Sequence, residues 1–186
     1  MKDIRSRKVA FLVYCLLDQN ARAKGTAKYS GPVSEIVETL TTNGVGMVQM
    51  PCPELLYGDL DRMPRSKNWY DDKEFRDVCR KCAQQIAERV EKYVKNSYQV
   101  VAIVGVEYSP SCATVKVLSI IKDGKRKWVR TQGIFIEELL EELSSRGLDN
   151  IPILEAYTDK RRIRSTCRIL EKAIAQVENF IVINDS

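Results

Sequence analysis

Short β-branched apolar runs at 9–14, 45–50 and 100–106 alternate with stretches whose apolar residues recur at helical spacing. That alternation predicts an α/β fold, a three-layer Rossmann-like sandwich around a mostly parallel sheet. Runs this continuous are what a strand shows when both of its faces are buried. With 186 residues and 44% hydrophobic content, the chain can fill one sizeable core, and a single domain over 1–186 is expected.

The helices are marked by periodicity and punctuation. Over 33–42, Pro32 sits at the first turn, Val33, Ile36, Val37 and Leu40 form the apolar face, and Gly44 lies just past the end. The clearest stripe runs over 71–94, through Phe75, Val78, Cys79, Cys82, Ile86, Val90 and Tyr93. Residues 115–130 break the alternation, and Asp123-Gly124 is a turn signal, so a hairpin or irregular excursion is expected near 113–132. A helix over 133–146 stops at Gly147 and leads into a strand-like stretch at 151–154. A last helix from 159 to about 177 precedes the apolar run 180–183. Right-handed crossovers would bring the carboxyl ends of the parallel strands to one edge, where such folds bind their ligands.

Composition narrows the chemistry. The formal charge of +5 comes with charges of both signs, concentrated at Lys125-Arg126-Lys127 and Lys160-Arg161-Arg162. No aromatic interleaving accompanies either run, so both read as solvated surface and no nucleic acid polymer is expected as a partner. No apolar run reaches membrane-spanning length, and the charged stretch 1–8 leads directly into a strand, so neither a signal peptide nor a membrane is expected. Six cysteines in such a chain read as thiols, and a reducing cytoplasm is the expected home. There is no histidine, which removes the commonest general base, the Ser-His and Cys-His nucleophile systems and every histidine-containing zinc or iron site. A soft metal held by sulfur remains available.

The cysteines fall into two classes. Cys79, Cys82 and Cys167 lie on apolar helix stripes and read as packing, since a free cysteine behaves as a small hydrophobe. Cys79-Arg80-Lys81-Cys82 could be a redox or zinc pair, but no second pair completes a tetrahedral site. Cys15, Cys52 and Cys112 instead lie where strands give way to loops, in Tyr14-Cys15-Leu16-Leu17, Pro51-Cys52-Pro53-Glu54 and Ser109-Pro110-Ser111-Cys112. Their separations match no compact zinc or ferredoxin signature. The prolines stiffen the second and third loops, and the shared sheet edge allows all three thiols to converge on one metal centre.

Cys-Leu-Leu, Cys-Pro-Glu and Ser-Pro-Ser-Cys in this order, with Gly58 and Pro64-Arg65 after the second motif, resemble the thiouracil desulfurase family. The resemblance runs from about Val9 to Thr114 and more weakly from Gly133 to Glu155. It implies a desulfidase with an oxygen-sensitive [4Fe-4S] cluster held by Cys15, Cys52 and Cys112, the fourth iron lacking a protein ligand. That iron would be a Lewis acid toward the sulfur of a small thiolated substrate, water replacing sulfur with no net electron transfer. Glu54 and Ser109, beside the cluster in sequence, are the expected catalytic acid-base and water-orienting pair. Helix capping or an ion pair with Arg62 or Arg65 is the alternative for Glu54, and a turn hydrogen bond for Ser109. Relatives carry a Cys-Leu-Leu-Gly and Arg-Tyr-Asp-Gly-like stretch where this chain has Asp18 and Gln19-Asn20-Ala21-Arg22, and a glycine where it has Ala113; these loops are expected to line the substrate pocket. Tyr57, Trp69 and Tyr70 could stack a planar heterocycle, but core or surface packing is the favoured role of each. A non-enzymatic iron-sulfur or metal carrier is the competing reading, and homo-oligomerisation stays open. A plain nucleotide-binding module is disfavoured, because no glycine-rich phosphate loop follows the first strand.

Overall fold

The computed structural model describes residues 3–120 and 125–184. Its centre is a four-stranded, all-parallel sheet in the order β2-β1-β3-β6, built from β1 (Lys8–Leu12), β2 (Gly46–Gln49), β3 (Gln99–Val106) and β6 (Ile153–Ala156). Helices flank it on both sides, as in a Rossmann-like three-layer sandwich. Helix α2 (Ser34–Thr42) packs with α7 (Ile163–Asn184), and α5 (Lys73–Lys95) packs with α6 (Ile134–Ser145). The apolar continuity of the sequence follows from this burial: every residue from Val100 to Val106 is buried, and Phe11, Leu12, Ile103, Phe135 and Leu139 are among the largest fully buried side chains. Strand β2 departs from that expectation. It is an edge strand, with Gly46 and Gln49 exposed and Met47 and Val48 only half-buried.

Helix α5 starts where Asp72 accepts the Phe75 N–H at 2.8 Å, a cap contributing about 1 kcal/mol. Its polar side is tied to α6 by Arg76 and Arg80, which both pair with the buried Glu138. Lys67, on α4 (Lys67–Tyr70), pairs with Glu137 of α6. Helices α2 and α6 end before Gly44 and Gly147, as punctuation predicts. The last helix begins at Ile163 and continues through the apolar run 180–183 to Asn184, beyond the expected end near 177. The expected excursion is a hairpin in which β4 (Val117–Ile120) pairs antiparallel with β5 (Arg126–Val129). Its expected turn at Asp123-Gly124 lies outside the described residues. Among the described residues no helix is long and apolar enough to cross a membrane.

Register sets the functional edge. Leu12 pairs with Gln49 on one side and Val104 on the other, so β1, β2 and β3 release their chains at one end of the sheet. The three cysteine motifs follow those strands directly.

Candidate active site

After β1 the chain turns at once into α1 (Tyr14–Leu17), which carries Cys15. Buried Gln19 pins this turn: its side-chain amide donates to the Cys15 carbonyl at 2.7 Å and its oxygen accepts the Lys28 N–H at 2.9 Å. After β2, Cys52 forms the N-terminal boundary of α3 (Pro53–Tyr57), with Pro53 at the first helical position, where a missing N–H costs nothing. Its carbonyl accepts the N–H groups of Leu55 and Leu56, both at 3.1 Å. After β3, the loop 109–112 folds back so that Val106 donates to the Cys112 carbonyl at 3.0 Å.

Two glycines make room for that third loop. A Cβ on Gly105 would stand 2.4 Å from the Cys112 carbonyl oxygen, and one on Gly133 would stand 2.3 Å from the Ser111 carbonyl carbon. Only a residue without a side chain permits either approach. At the start of α6, Ile134 and Ile136 then donate to the Pro110 and Ser111 carbonyls at 3.0 and 3.2 Å.

These three loops enclose one cavity of about 320 Å³, and all five predicted site residues line it: Cys15, Cys52, Cys112, Glu54 and Ser109. Cys112 is buried, while Cys15 and Cys52 keep part of their surface. Burial pushes the Cys15 thiol up to about 12, with Cys52 and Glu54 adding to the rise and Arg22 opposing it. Cys52 is raised by burial and by Glu54, and Cys112 is raised well above the ordinary thiol range by burial and by Cys52. Left to themselves, the three thiols therefore stay protonated. A cationic metal group reverses that preference, since coordinated thiols are deprotonated outright. Among the described residues no group of three or more His, Cys, Asp or Glu is placed to hold a metal ion. The donor set itself, three sulfurs without histidine, is of the type that thiophilic metals take.

Glu54 is the hub of the polar wall. Its carboxylate accepts from the Ser111 hydroxyl at 2.6 Å, from Ser109 at 3.2 Å and from the Tyr70 phenol at 3.5 Å. Arg62 Nε lies 3.5 Å from the same carboxylate, at ion-pair distance but without hydrogen-bond alignment, and another of its nitrogens reaches the Cys52 sulfur at 3.8 Å. The ion pair weighed against catalysis for Glu54 thus exists, with Arg62 as its partner. Ser109 likewise makes the turn contact weighed against it: its oxygen accepts the N–H groups of Cys112 at 3.0 Å and Ser111 at 3.3 Å. Both residues still reach the cavity.

The expected pocket loops divide. Ala21 and Arg22 line the cavity, whereas Gln19 and Ala113 are buried and do not. None of Tyr57, Trp69 and Tyr70 lines the cavity. Tyr70 packs edge-on against Tyr57 and Trp69 and tilted against Phe75, and Trp69 is covered by the Arg65 guanidinium 4.9 Å from its ring. This cluster backs Glu54, which helps burial raise the Tyr70 phenol. The aromatic residues of the wall are instead Tyr14, Tyr108 and Trp128. Cys79 and Cys82 belong to the core, in keeping with their stripe. Ser111 and Arg62, both quoted in motifs or as partners, are polar groups whose site role sequence patterns did not single out, and Glu107, Thr158, Asp159 and Arg162, which also line the cavity, were not singled out either.

The fold and site together define a class: an α/β protein with a thiol-lined cavity at the carboxyl ends of parallel strands. An uncharacterized protein of Methanocaldococcus jannaschii is similar, 29% identical over 171 residues that span 92% of this chain and 99% of that protein. No family model matches the chain, and no solved structure matches it.

Proposed function

We propose that the chain is a desulfidase that converts the thiocarbonyl of a small thiolated compound to a carbonyl. The observation that carries this reading is the convergence of Cys15, Cys52 and Cys112 with Glu54 and Ser109 on one cavity. Those three cysteines would hold a [4Fe-4S] cluster, whose iron without a protein ligand supplies Lewis acidity toward the substrate's sulfur. In the overall reaction water supplies oxygen, sulfur leaves as hydrosulfide, and no electrons are exchanged.

The side chains perform the rest. Glu54 takes a proton from the attacking water at its carboxylate, and Ser109, donating to Oε1 at 3.2 Å, orients that water. Arg62, 3.5 Å from Oε2, holds the carboxylate in place between attacks. Ser111 and Tyr70 restrict its rotation.

Anaerobic reconstitution with iron and sulfide tests the reading. The expected result is a cluster absorption band, sulfide release from thiouracil or a related thioamide, and a Glu54→Gln variant that keeps the band but loses sulfide release at least about 100-fold. Failure to take up a cluster overturns it. Cluster uptake with transfer to an acceptor and indifference to Glu54→Gln would make the chain a carrier instead.

A further inference from the structure

Arg62 lines the cavity with a side chain that is only 10% exposed, an unusual place for a guanidinium. Two backbone carbonyls hold it from behind: one nitrogen donates to Asp59 at 3.2 Å and another to Ala21 at 2.8 Å. Its own carbonyl accepts the Lys24 N–H at 2.9 Å, so this one residue staples the loop beyond α1 to the loop beyond α3.

The side that faces the site is less well served. Nε has no hydrogen-bond partner and stands 3.5 Å from the Glu54 carboxylate, and the nitrogen that reaches Ala21 also donates to the Cys52 sulfur at 3.8 Å. A neutral thiol is a weak acceptor, and a buried guanidinium needs charged or well-aligned partners. The account changes once Cys52 holds a metal, because a coordinated sulfur is deprotonated. Arg62 then has a charged acceptor at that sulfur, and charge-assisted hydrogen bonds are the strong ones. At Cys112 the neighbouring group is the neutral Ser111 hydroxyl, at 3.3 Å.

We infer that Arg62 is a positioning residue for the proposed cluster: its guanidinium binds the Cys52 sulfur, offsets the charge there and so raises the cluster's reduction potential. The inference rests on the cluster part of the desulfidase reading and extends it from the three ligands to the charge behind one of them. Positive charge and hydrogen bonds at a ligand sulfur favour the cluster state that holds one more electron. They also draw electron density from the iron, which keeps its open position a stronger Lewis acid.

Potentiometric titration of the anaerobically reconstituted chain tests this without reference to turnover. At one fixed potential the ratio of reduced to oxidised cluster should fall about tenfold in Arg62→Gln, about 59 mV for one electron, with iron content per chain at the parent value. Arg62→Lys keeps the charge and should recover most of the difference, whereas loss of the Ala21 and Asp59 contacts alone would leave the two variants alike. Should Arg62→Gln fail to fold, Arg62→Met, an apolar chain suited to a buried place, takes its position in the comparison. A parent ratio in the uncharged variant, or the same fall in Arg62→Lys, overturns the inference. If the ratio depends on Arg62 but no sulfide is released from thiouracil or a related thioamide, the inference stands and the desulfidase reading falls. If sulfide is released and the ratio ignores Arg62, the outcome is the reverse. A parent chain that takes up no cluster overturns both.

Discussion

Ser111 donates its hydroxyl to Glu54 at 2.6 Å, joining the loop that follows β3 to the helix that follows β2. Both residues are buried, so water replaces a lost donor poorly. Hydrogen bonds to charged groups contribute about 1.5–3 kcal/mol. Ser111→Ala is therefore expected to lower the unfolding free energy by about 2 kcal/mol in urea melts. An unchanged melt would mean that Ser109 and Arg62 hold the carboxylate without it.

Gly133 carries the second prediction. Its Cα faces backbone, the Ser111 carbonyl and the Cys112 nitrogen, which cannot swing aside as the end of a flexible side chain would. Gly133→Ala must displace the 109–112 loop or the start of α6, at a cost of about 1–3 kcal/mol. Thermal melts should show that loss together with weakened iron uptake. Wild-type stability in the alanine variant would refute the close approach.

A buried phenol gives a pH dependence. The Tyr29 oxygen is buried without a hydrogen-bond partner, and burial, with Glu35 adding to it, raises its pKa from 10.0 to about 12. The folded state thus holds this proton more tightly than the unfolded chain. Its contribution is complete below pH 10 and is lost as pH rises from 10 toward 12. Tyr29→Phe should melt at or above the parent temperature at neutral pH, because an unsatisfied hydroxyl is removed. The stability difference in favour of phenylalanine should widen above pH 10; a difference constant across that range would contradict the assignment.

Strand β3 and helix α5 were legible in the sequence for opposite reasons, one from unbroken apolar residues and the other from a long stripe capped by Asp72. The helices carrying Cys15 and following Cys52 span only four and five residues, too short for any period to show. Run 180–183 had no periodicity by itself, and its continuation of α7 depends on the turns before it. Cys15, Cys52 and Cys112 could be placed at one edge because strand ends in a parallel sheet share it. Which hydroxyl of Ser109-Pro110-Ser111 faces Glu54 most closely could not, since loop direction is decided by Gly105 together with Gly133, which the hairpin separates from the loop in sequence. The aromatic wall was not located for the same reason: a half-exposed Trp69 and a half-exposed Trp128 look alike until the hairpin brings one to the cavity.

The division of the six cysteines supplies the sharpest prediction. Cys15, Cys52 and Cys112 line the cavity, whereas Cys79 and Cys82 pack in the core and Cys167 is half-buried with its thiol 3.7 Å from the Glu35 carbonyl. Single Ser replacements at the first three should each abolish stable cluster uptake, with melts of the cluster-free chain little altered. Ala replacements at Cys79 and Cys82 should do the converse, lowering stability on the order of 1 kcal/mol while iron content per chain stays at the parent value. Cys82 is the stringent case, because Cys52 adds to burial in raising its thiol to about 11. Iron and acid-labile sulfide assays on the five variants decide between the two classes. Loss of cluster in Cys82→Ala with retention in Cys15→Ser would exchange their roles.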